Sequence, residues 1–542
     1  MKKHAIFAIL AVAAVLRLWS LGGGDITGND EVLYAFRAIG MLDYDDAPNQ
    51  TTPIEWFDPN TPGWTKLSFH DHPPLVFLVQ NVFMKVFGEN VFAFRLPSAI
   101  FGILSVYFIY LIGRRLFSET AGLISAGLLA VTVNHVYISR IGIQESYVIF
   151  FLLLGSYLFI RTLEDKKYLL WTGAAIGLGL LTKYTAFILA PIFLTYLAIY
   201  KREYFREKYL WLGALLALAI FSPVIIYNIQ LYRAVGHFDF QISYILGQNP
   251  EVWKAAPGKE EIGTLGDRLR NFIPNLIATN SKVFLVLSVF GFFLPFKRRG
   301  LLPIIVEYLI LLLLFVGPTT RFLTMLTPFL ALGSGNILFL TGQKFWPEKK
   351  RFALSALSLI FLFEIFYSVN SQIIPYPKGP DCCSFSKVRY DNYSWGYNEL
   401  EKFLEKELSG KYPAIILNSP HRFITDLQNA SVEKVKGSGS TPSAAIIVYN
   451  DNIHKAPQLW SLDRRQIYHG WPVLKTEDYL ALPAAGFKNH YFIMPTDKLP
   501  WRTDGKFTDT GIRFEQTLSA RGLVPTALYN NRGEEVFRIY KF

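Results

Sequence analysis

A chain of 542 residues that is 51% hydrophobic, 16% aromatic and only 18% charged is too apolar for an ordinary soluble domain, in which about a quarter of residues carry charge. Its net charge of +12 does not point to nucleic acid, because the basic residues fall in short clusters between hydrophobic runs instead of forming one patch. The two cysteines are adjacent, Cys382-Cys383; they cannot build a disulfide framework, and neighbours rarely pair because the bridge strains the peptide between them.

A membrane helix needs about 20 largely apolar residues. The chain reads as about eleven such spans, roughly 5–21, 91–113, 119–138, 146–161, 168–182, 184–200, 209–227, 282–296, 301–317, 322–341 and 352–369. The fifth and sixth form one apolar stretch broken at Thr182-Lys183-Tyr184. A lysine in hydrocarbon is costly, so the break is expected at an outer turn between two short helices. The first span is expected to be retained: it resembles a signal peptide in length but lacks a small-x-small cleavage site.

The clusters Lys2-Lys3, Arg114-Arg115, Arg161 with Lys166-Lys167, Lys201–Lys208, Lys297-Arg298-Arg299 and Lys344–Arg351 all fall on one side, which the positive-inside rule makes cytoplasmic. The opposite side then receives loop 22–90, the turns at Arg140, Lys183 and Arg321, loop 228–281 and the tail. Apolar segments 32–42 and 74–88 are too short to span comfortably and suit interfacial helices, as does the aromatic-rich loop 228–281. Ordinary amphipathic packing is the competing reading.

The expected division is a transmembrane domain over 1–370 and an extracytoplasmic domain over 371–542. In the tail, a helix-like Trp395–Leu408 precedes strand-like runs at Ala414–Leu417, Ala444–Tyr449 and Tyr491–Met494. A helix over 512–521 leads to a hairpin, Thr526–Tyr529 with Glu535–Tyr540, turning at Asn530-Asn531-Arg532-Gly533. Alternating helices and strands predict a small α/β domain. Lys436–Ser440 reads as a flexible loop, and no glycine fingerprint for a nucleotide follows any strand.

Polar residues that should avoid lipid gather on the outer side: Asp30, Glu31, Arg95, Arg140, Gln144, Glu145, Lys183 and Arg321. Ionisable groups at membrane depth are functional candidates, although the arginines also suit snorkelling anchors at span ends. A carboxylate can act as general base on a hydroxyl, and flanking cations suit a departing anionic phosphate. The Lys183 ammonium and the Arg321 guanidinium each call for an anion nearby, and one phosphate between them would satisfy both.

The chain resembles the polyprenyl-phosphate-dependent membrane glycosyltransferases of the C-type fold, specifically the protein mannosyltransferase and aminoarabinose transferase superfamily. The resemblance covers roughly residues 1–370. It rests on Asp30-Glu31 with Tyr34, His72-Pro73-Pro74-Leu75, Phe94-Arg95-Leu96-Pro97, Ser139-Arg140, Gly179-Leu-Leu-Thr-Lys183, and Thr320-Arg321-Phe322 with Pro328. It implies inverting transfer of a sugar from a polyprenyl or dolichyl phosphate to a protein, lipid or glycan hydroxyl, without a cofactor or a catalytic divalent metal. Asp30, supported by Glu31, would be the base. Tyr34, His72, Arg95, Arg140, Glu145, Lys183 and Arg321 would contact substrate, with Lys183 and Arg321 neutralising the departing lipid phosphate. Relatives often have aspartate where this chain has Gln144-Glu145, which leaves the role of Glu145 open. His72 before Pro-Pro is closer to the mannosyltransferase branch than the lysine of the aminoarabinose branch.

The implied setting is a bacterial or archaeal plasma membrane or the endoplasmic reticulum, with the lipid-linked donor, an acceptor and membrane lipids as partners and no nucleic acid. Two other readings stay open. A transporter would use Asp30, Lys183 and Arg321 as gates, but would be expected to show midplane charges and an internal repeat. A zinc or manganese enzyme would draw on Asp30, Glu31, His70, Asp71 and His72, for which His-x-His is a weak ligand signal. Glycosylation triplets at Asn49, Asn392 and Asn429 arise readily by chance.

Overall fold

The computed structural model describes residues 2–26, 28–44, 52–248, 263–293, 300–388, 395–482, 486–499 and 508–542. The Lys297-Arg298-Arg299 cluster, the triplets at Asn49 and Asn392 and part of loop 228–281 lie outside these residues. The chain divides into two compact units, one of Met1–Leu21 with Gly63–Tyr390 and the other of Gly22–Pro62 with Asp391–Phe542.

The first unit is helical. Val91–Leu116, Glu145–Thr162, Lys208–Val235 and Arg351–Gln372 are each long and apolar enough to cross a membrane, and shorter apolar helices, among them His4–Leu18, Glu119–Val131, Tyr168–Thr182 and Leu301–Val316, pack beside them. Apolar segment 74–88 forms the helix Leu75–Phe87. The first helix, Lys2–Leu18, is built into the unit: its Arg17 is fully buried and donates to Ala130 O at 2.9 Å and Leu129 O at 3.2 Å.

Between helices in lipid, close approach depends on small residues. Tyr168–Thr182 crosses Lys208–Val235 where Gly173 and Gly213 face each other, and a Cβ on either would strike the other helix's backbone. The last two expected spans form one helical run, Thr327–Gln372. Gly335 in this run packs on Ser125 and Phe361 packs on Gly127. A straight helix would carry those two contact points about 39 Å apart at 1.5 Å per residue, yet Ser125 and Gly127 are one turn or less from each other. The run is therefore bent and not one straight helix.

The second unit carries the sheet. β1 (Lys411–Pro413) pairs in parallel with β2 (Thr441–Ser443). The main sheet has the order β4-β3-β5-β7-β6, built from β3 (Ala445–Tyr449), β4 (Val473–Lys475), β5 (Asn489–Pro495), β6 (Thr526–Tyr529) and β7 (Glu535–Lys541). β3 lies parallel to β4 and β5, whereas β7 is antiparallel to β5 and β6. Strand side chains alternate between faces. Ala445, Ile447 and Tyr449 thus meet Leu400, Leu404 and Leu408 of helix Tyr397–Leu408, while Ile446 and Val448 face Leu518 of helix Thr510–Ala520. The result is a sheet with a helix on each face.

Several expectations need correction. Ala414–Leu417 is not a strand; the short strand lies just before it at Lys411–Pro413. Both edges of β3 are already occupied, by β4 and β5, so the apolar run finds no ladder there. The division at 370 also moves. Residues just past 370 stay with the first unit, where Ser386 Oγ donates to Thr279 O at 3.1 Å and Asn370 Nδ2 donates to Ser384 O at 2.9 Å. Segment 22–62, expected with the membrane part, belongs to the second unit. The sulfurs of the neighbours Cys382 and Cys383 lie against each other. Asn429 is exposed within helix Arg422–Lys436.

The glycine crossing predicts that Gly173→Leu destabilises the first unit by about 1–3 kcal/mol or more, the usual range for overpacking. In detergent its thermal unfolding midpoint should fall clearly below that of a control on the exposed side of the same helix, Trp171→Leu, since Trp171 is exposed. An unchanged midpoint for Gly173→Leu would show that the crossing tolerates a side chain.

Candidate functional site

In the second unit, helix Asn29–Gly40 carries the acidic pair in its first turn, where the helix dipole favours carboxylates. Asp30 is partly exposed, whereas Glu31 and Tyr34 are buried. The helix ends at Met41 in the left-handed conformation, φ 53°, and Arg37 Nε donates to Tyr44 O at 2.8 Å just beyond. Segment 32–42 is therefore a buried helix of this unit, with Val32, Ala35, Phe36 and Ala38 in its packed face.

The same unit holds Asp25, which the sequence reading passed over. It is fully buried, and its carboxylate accepts backbone N–H groups of Gly396 at 2.8 Å, Tyr397 at 3.3 Å and Asn398 at 2.8 Å, as well as that of Trp395. Burial pushes its pKa up to about 6 against the pull of those donors, which leaves it ionised at neutral pH. No motif marks it; a short polar residue in a Gly-rich loop shows nothing of a partner some 370 positions away.

In the first unit, Lys183, Glu145 and Arg321 come together. Lys183 follows helix Tyr168–Thr182, and its N–H closes that helix onto Gly179 O at 3.1 Å before a 3-10 turn begins at Tyr184. Glu145 opens helix Glu145–Thr162, and Arg321 precedes the 3-10 turn Phe322–Met325. Lys183 Nζ donates to Glu145 Oε1 at 2.6 Å, and Arg321 Nε lies 3.9 Å from the same oxygen. Both cations also lie over the Phe322 ring, at 4.6 and 4.8 Å from its centroid. The anion that the sequence called for beside Lys183 is thus supplied by the chain itself. Both cations thus meet one buried carboxylate, and the Arg321 side chain is 34% exposed against 2% for Glu145.

Arg140 and Arg95 sit elsewhere in the first unit, at the carbonyl end of its first helix. Arg140 Nη1 donates to Leu16 O at 3.0 Å, Arg17 O at 3.2 Å and Trp19 O at 2.9 Å, and Arg95 Nη1 to Leu21 O at 3.4 Å. These bonds satisfy carbonyls that a helix end leaves open. His72 Nδ1 lies 3.0 Å from Asp71.

Sequence reasoning also missed Asp239. This buried carboxylate caps helix Phe240–Ile245, accepts from Asn228 Nδ2 at 2.9 Å and from the Tyr184 hydroxyl, and has a pKa raised by burial. Phe240 N donates to His70 O at 2.7 Å. One network therefore ties the residue after Lys183 to the loop that carries His70, Asp71 and His72. Of the five residues in the metal reading, Asp30 and Glu31 belong to the second unit and the other three to the first.

Residues 71–227 match the family described as dolichyl-phosphate-mannose-protein mannosyltransferase. A putative mannosyltransferase of Bacillus subtilis, YycA, is 33% identical over 235 residues, covering 43% of this chain and 32% of the relative. A second, YkcB, is 32% identical over 213 residues, 35% and 29% of the two chains. The polyprenol-phosphate-mannose–protein mannosyltransferase of Corynebacterium glutamicum is 30% identical over 160 residues, 29% of each chain. The matched stretches thus span about a third of these relatives' length. The crystal structure of ArnT from Cupriavidus metallidurans bound to undecaprenyl phosphate superposes with a TM-score of 0.54 at 13% identity, covering 99% of this chain and 97% of that one. That likeness establishes the fold, and with the sequence relatives it bears out the resemblance to the C-type-fold glycosyltransferase superfamily. The family match takes in His72, Arg95, Arg140, Glu145 and Lys183 but neither Asp30 nor Arg321.

Glu145→Gln keeps an acceptor oxygen for Lys183 and removes one negative charge. An isoprenoid phosphate added to the purified protein should bind several-fold tighter than to wild type, because it no longer competes with the Glu145 charge for the two cations. Weaker binding, measured by titration calorimetry, would mean that the Glu145 charge is needed to hold Lys183 in place.

Proposed function

We propose that this chain is a membrane glycosyltransferase that moves a sugar from a polyprenyl phosphate to an acceptor hydroxyl on the extracytoplasmic side. The observation that carries the reading is the Lys183–Glu145–Arg321 cluster: two cations at helix ends, over one aromatic ring, with a single buried carboxylate between them. Cations held at helix ends in a low-dielectric setting are suited to a phosphate whose negative charge grows as the sugar leaves. The relatives' names, mannosyltransferases throughout the curated matches quoted above, favour transfer over transport and mannose as the first sugar to try.

In this reading Asp30 takes the proton from the acceptor hydroxyl, whose oxygen attacks the anomeric carbon as the bond to the lipid phosphate breaks. Attack opposite the leaving group inverts that carbon. Glu31, buried beside Asp30 in the first helical turn, is assigned to keeping Asp30 ionised or placed, and Tyr34 and His72 to substrate contact. Arg95 and Arg140 are assigned to the frame, since their bonds hold the end of the first helix. The lipid phosphate is stabilised by side chains, so the reaction is assigned no divalent metal. The fold is read as eleven spans, about the number the apolar segments and the bent run allow.

The decisive experiment incubates purified protein with a panel of radiolabelled polyprenyl-phosphate sugars and follows which label leaves the lipid. Asp30→Asn retains the shape but cannot accept a proton, so turnover should fall by about 10²-fold or more with donor binding retained, and wild-type turnover should survive EDTA. Loss of donor binding with turnover per bound donor unchanged would remove Asp30 from the role of base.

Sidedness follows from the basic clusters. With Cys382 and Cys383 replaced by serine, an impermeant thiol reagent applied to intact cells should label Ser438→Cys and spare Lys167→Cys. The reverse pattern inverts the topology.

A further inference from the structure

The second unit joins residues from opposite ends of the sequence, and the acidic helix is fastened to it at both of its ends. Ahead of the helix, Asp25 occupies the amino end of helix Tyr397–Leu408, where four successive backbone N–H groups, Trp395 to Asn398, converge on its carboxylate. Asn398 adds a second tie, donating from Nδ2 to Gly22 O at 3.1 Å. At the far end, the Tyr468 hydroxyl donates to Phe36 O at 2.8 Å, its ring lies 4.9 Å from that of Phe36, and Gly40 packs so closely on it that a Cβ there would overlap the ring.

The elements that supply these grips are themselves fixed. Helix Tyr397–Leu408 buries Leu400, Leu404 and Leu408 on the main sheet. From the same helix, Glu401 forms a buried ion pair with Arg465, at 2.8 and 3.0 Å, and with Arg464, which also stacks on Trp460 at 4.2 Å. Burial alone would raise the Glu401 pKa, but the two arginines hold it below the usual carboxylate range. Arg464 and Arg465 begin the short helix Arg464–His469 that carries Tyr468. One ion triad therefore locks the element gripping the front of the acidic helix to the element gripping its back.

We propose that the C-terminal domain serves as a positioning scaffold for Asp30 and Glu31, with Asp25 and Tyr468 as the positioning residues. A helix of 12 residues is too short to hold itself, since isolated helices below about 12–15 residues are marginal in water. Asp25 lies only five residues before Asp30, so releasing it frees the strand that sets where the first turn begins. General-base catalysis loses rate steeply when its carboxylate is misplaced by about 1 Å. The domain thus contributes to chemistry through the placement of the acidic turn, with no substrate contact of its own required.

The proposal rests on the transferase reading for its catalytic purpose, and the test separates the two. Hydrogen exchange followed by mass spectrometry on the full chain in nanodiscs reads the order of peptides covering 29–40, while transfer kinetics read the chemistry. Tyr468→Phe removes one hydroxyl and should raise exchange over 29–40 several-fold and lower kcat about 3–10-fold, with donor KM unchanged. Asp25→Ala should lower kcat by about 10-fold or more, and Asp25→Asn, which keeps one acceptor oxygen, should fall between. Exchange in 445–449 and 489–495, the sheet of the same unit, should stay at wild-type levels in all three, which a loss of folding of that unit would not allow. Exchange over 29–40 unchanged in both Tyr468→Phe and Asp25→Ala overturns the scaffold, as does raised exchange with wild-type kcat. A wild-type protein that consumes no lipid-phosphate sugar overturns the transferase reading and the catalytic purpose of the scaffold together, while raised exchange in the variants would still establish the grip on the helix.

Discussion

A charge removed from water must find its counterpart within a few ångströms, and this requirement organises the protein. Glu145 sits between Lys183 and Arg321 at the ends of three different helical segments. Arg17, Arg95 and Arg140 donate to carbonyls at or near the ends of helices. Both solutions exploit the same fact: a helix end exposes unpaired backbone groups, so it is the place in an apolar unit where polar side chains can be satisfied. The cluster at Glu145 differs because its cations meet a carboxylate brought by a third helical segment. In the proposed reaction those two cations meet the lipid phosphate.

The soluble part of the chain obeys the same rule at a different scale. Asp25 is satisfied by the four open N–H groups at the start of a helix, and Glu401 by two arginines. Each of these buried contacts joins segments far apart in sequence. Their combined effect is that segment 22–62, which leaves the first apolar helix, folds with residues beyond 390. The acidic turn is consequently held by a packed α/β core.

The family match falls on one side of this line. The family match covers 71–227, inside the first unit, where the helix-end charges and the Gly173–Gly213 crossing lie. The superposition on ArnT covers nearly all of the chain at 13% identity. Fold can persist at such identity because apolar helices are set by composition and length, which many sequences satisfy, while the exact partners of buried polar groups are free to differ.

The sequence by itself determined the helices. Runs such as 91–113, 146–161 and 168–182 are apolar over the length that a bilayer demands, and each becomes a helix within a few residues of the expected ends. The short apolar run at Ala444–Tyr449 and the Asn-Asn-Arg-Gly turn likewise carried β3 and the β6–β7 hairpin, because those signals are local. Asp30, Lys183 and Arg321 stood out because charge is conspicuous against lipid. What only the tertiary structure decided is who meets whom. Nothing local ties Asp25 to Asn398, Asp239 to Tyr184 or Glu145 to Arg321, and nothing local moves Ala414–Leu417 out of a ladder whose edges are already filled. Such pairings depend on which buried groups remain unsatisfied after the chain has packed, a property of the whole fold that no stretch of sequence contains.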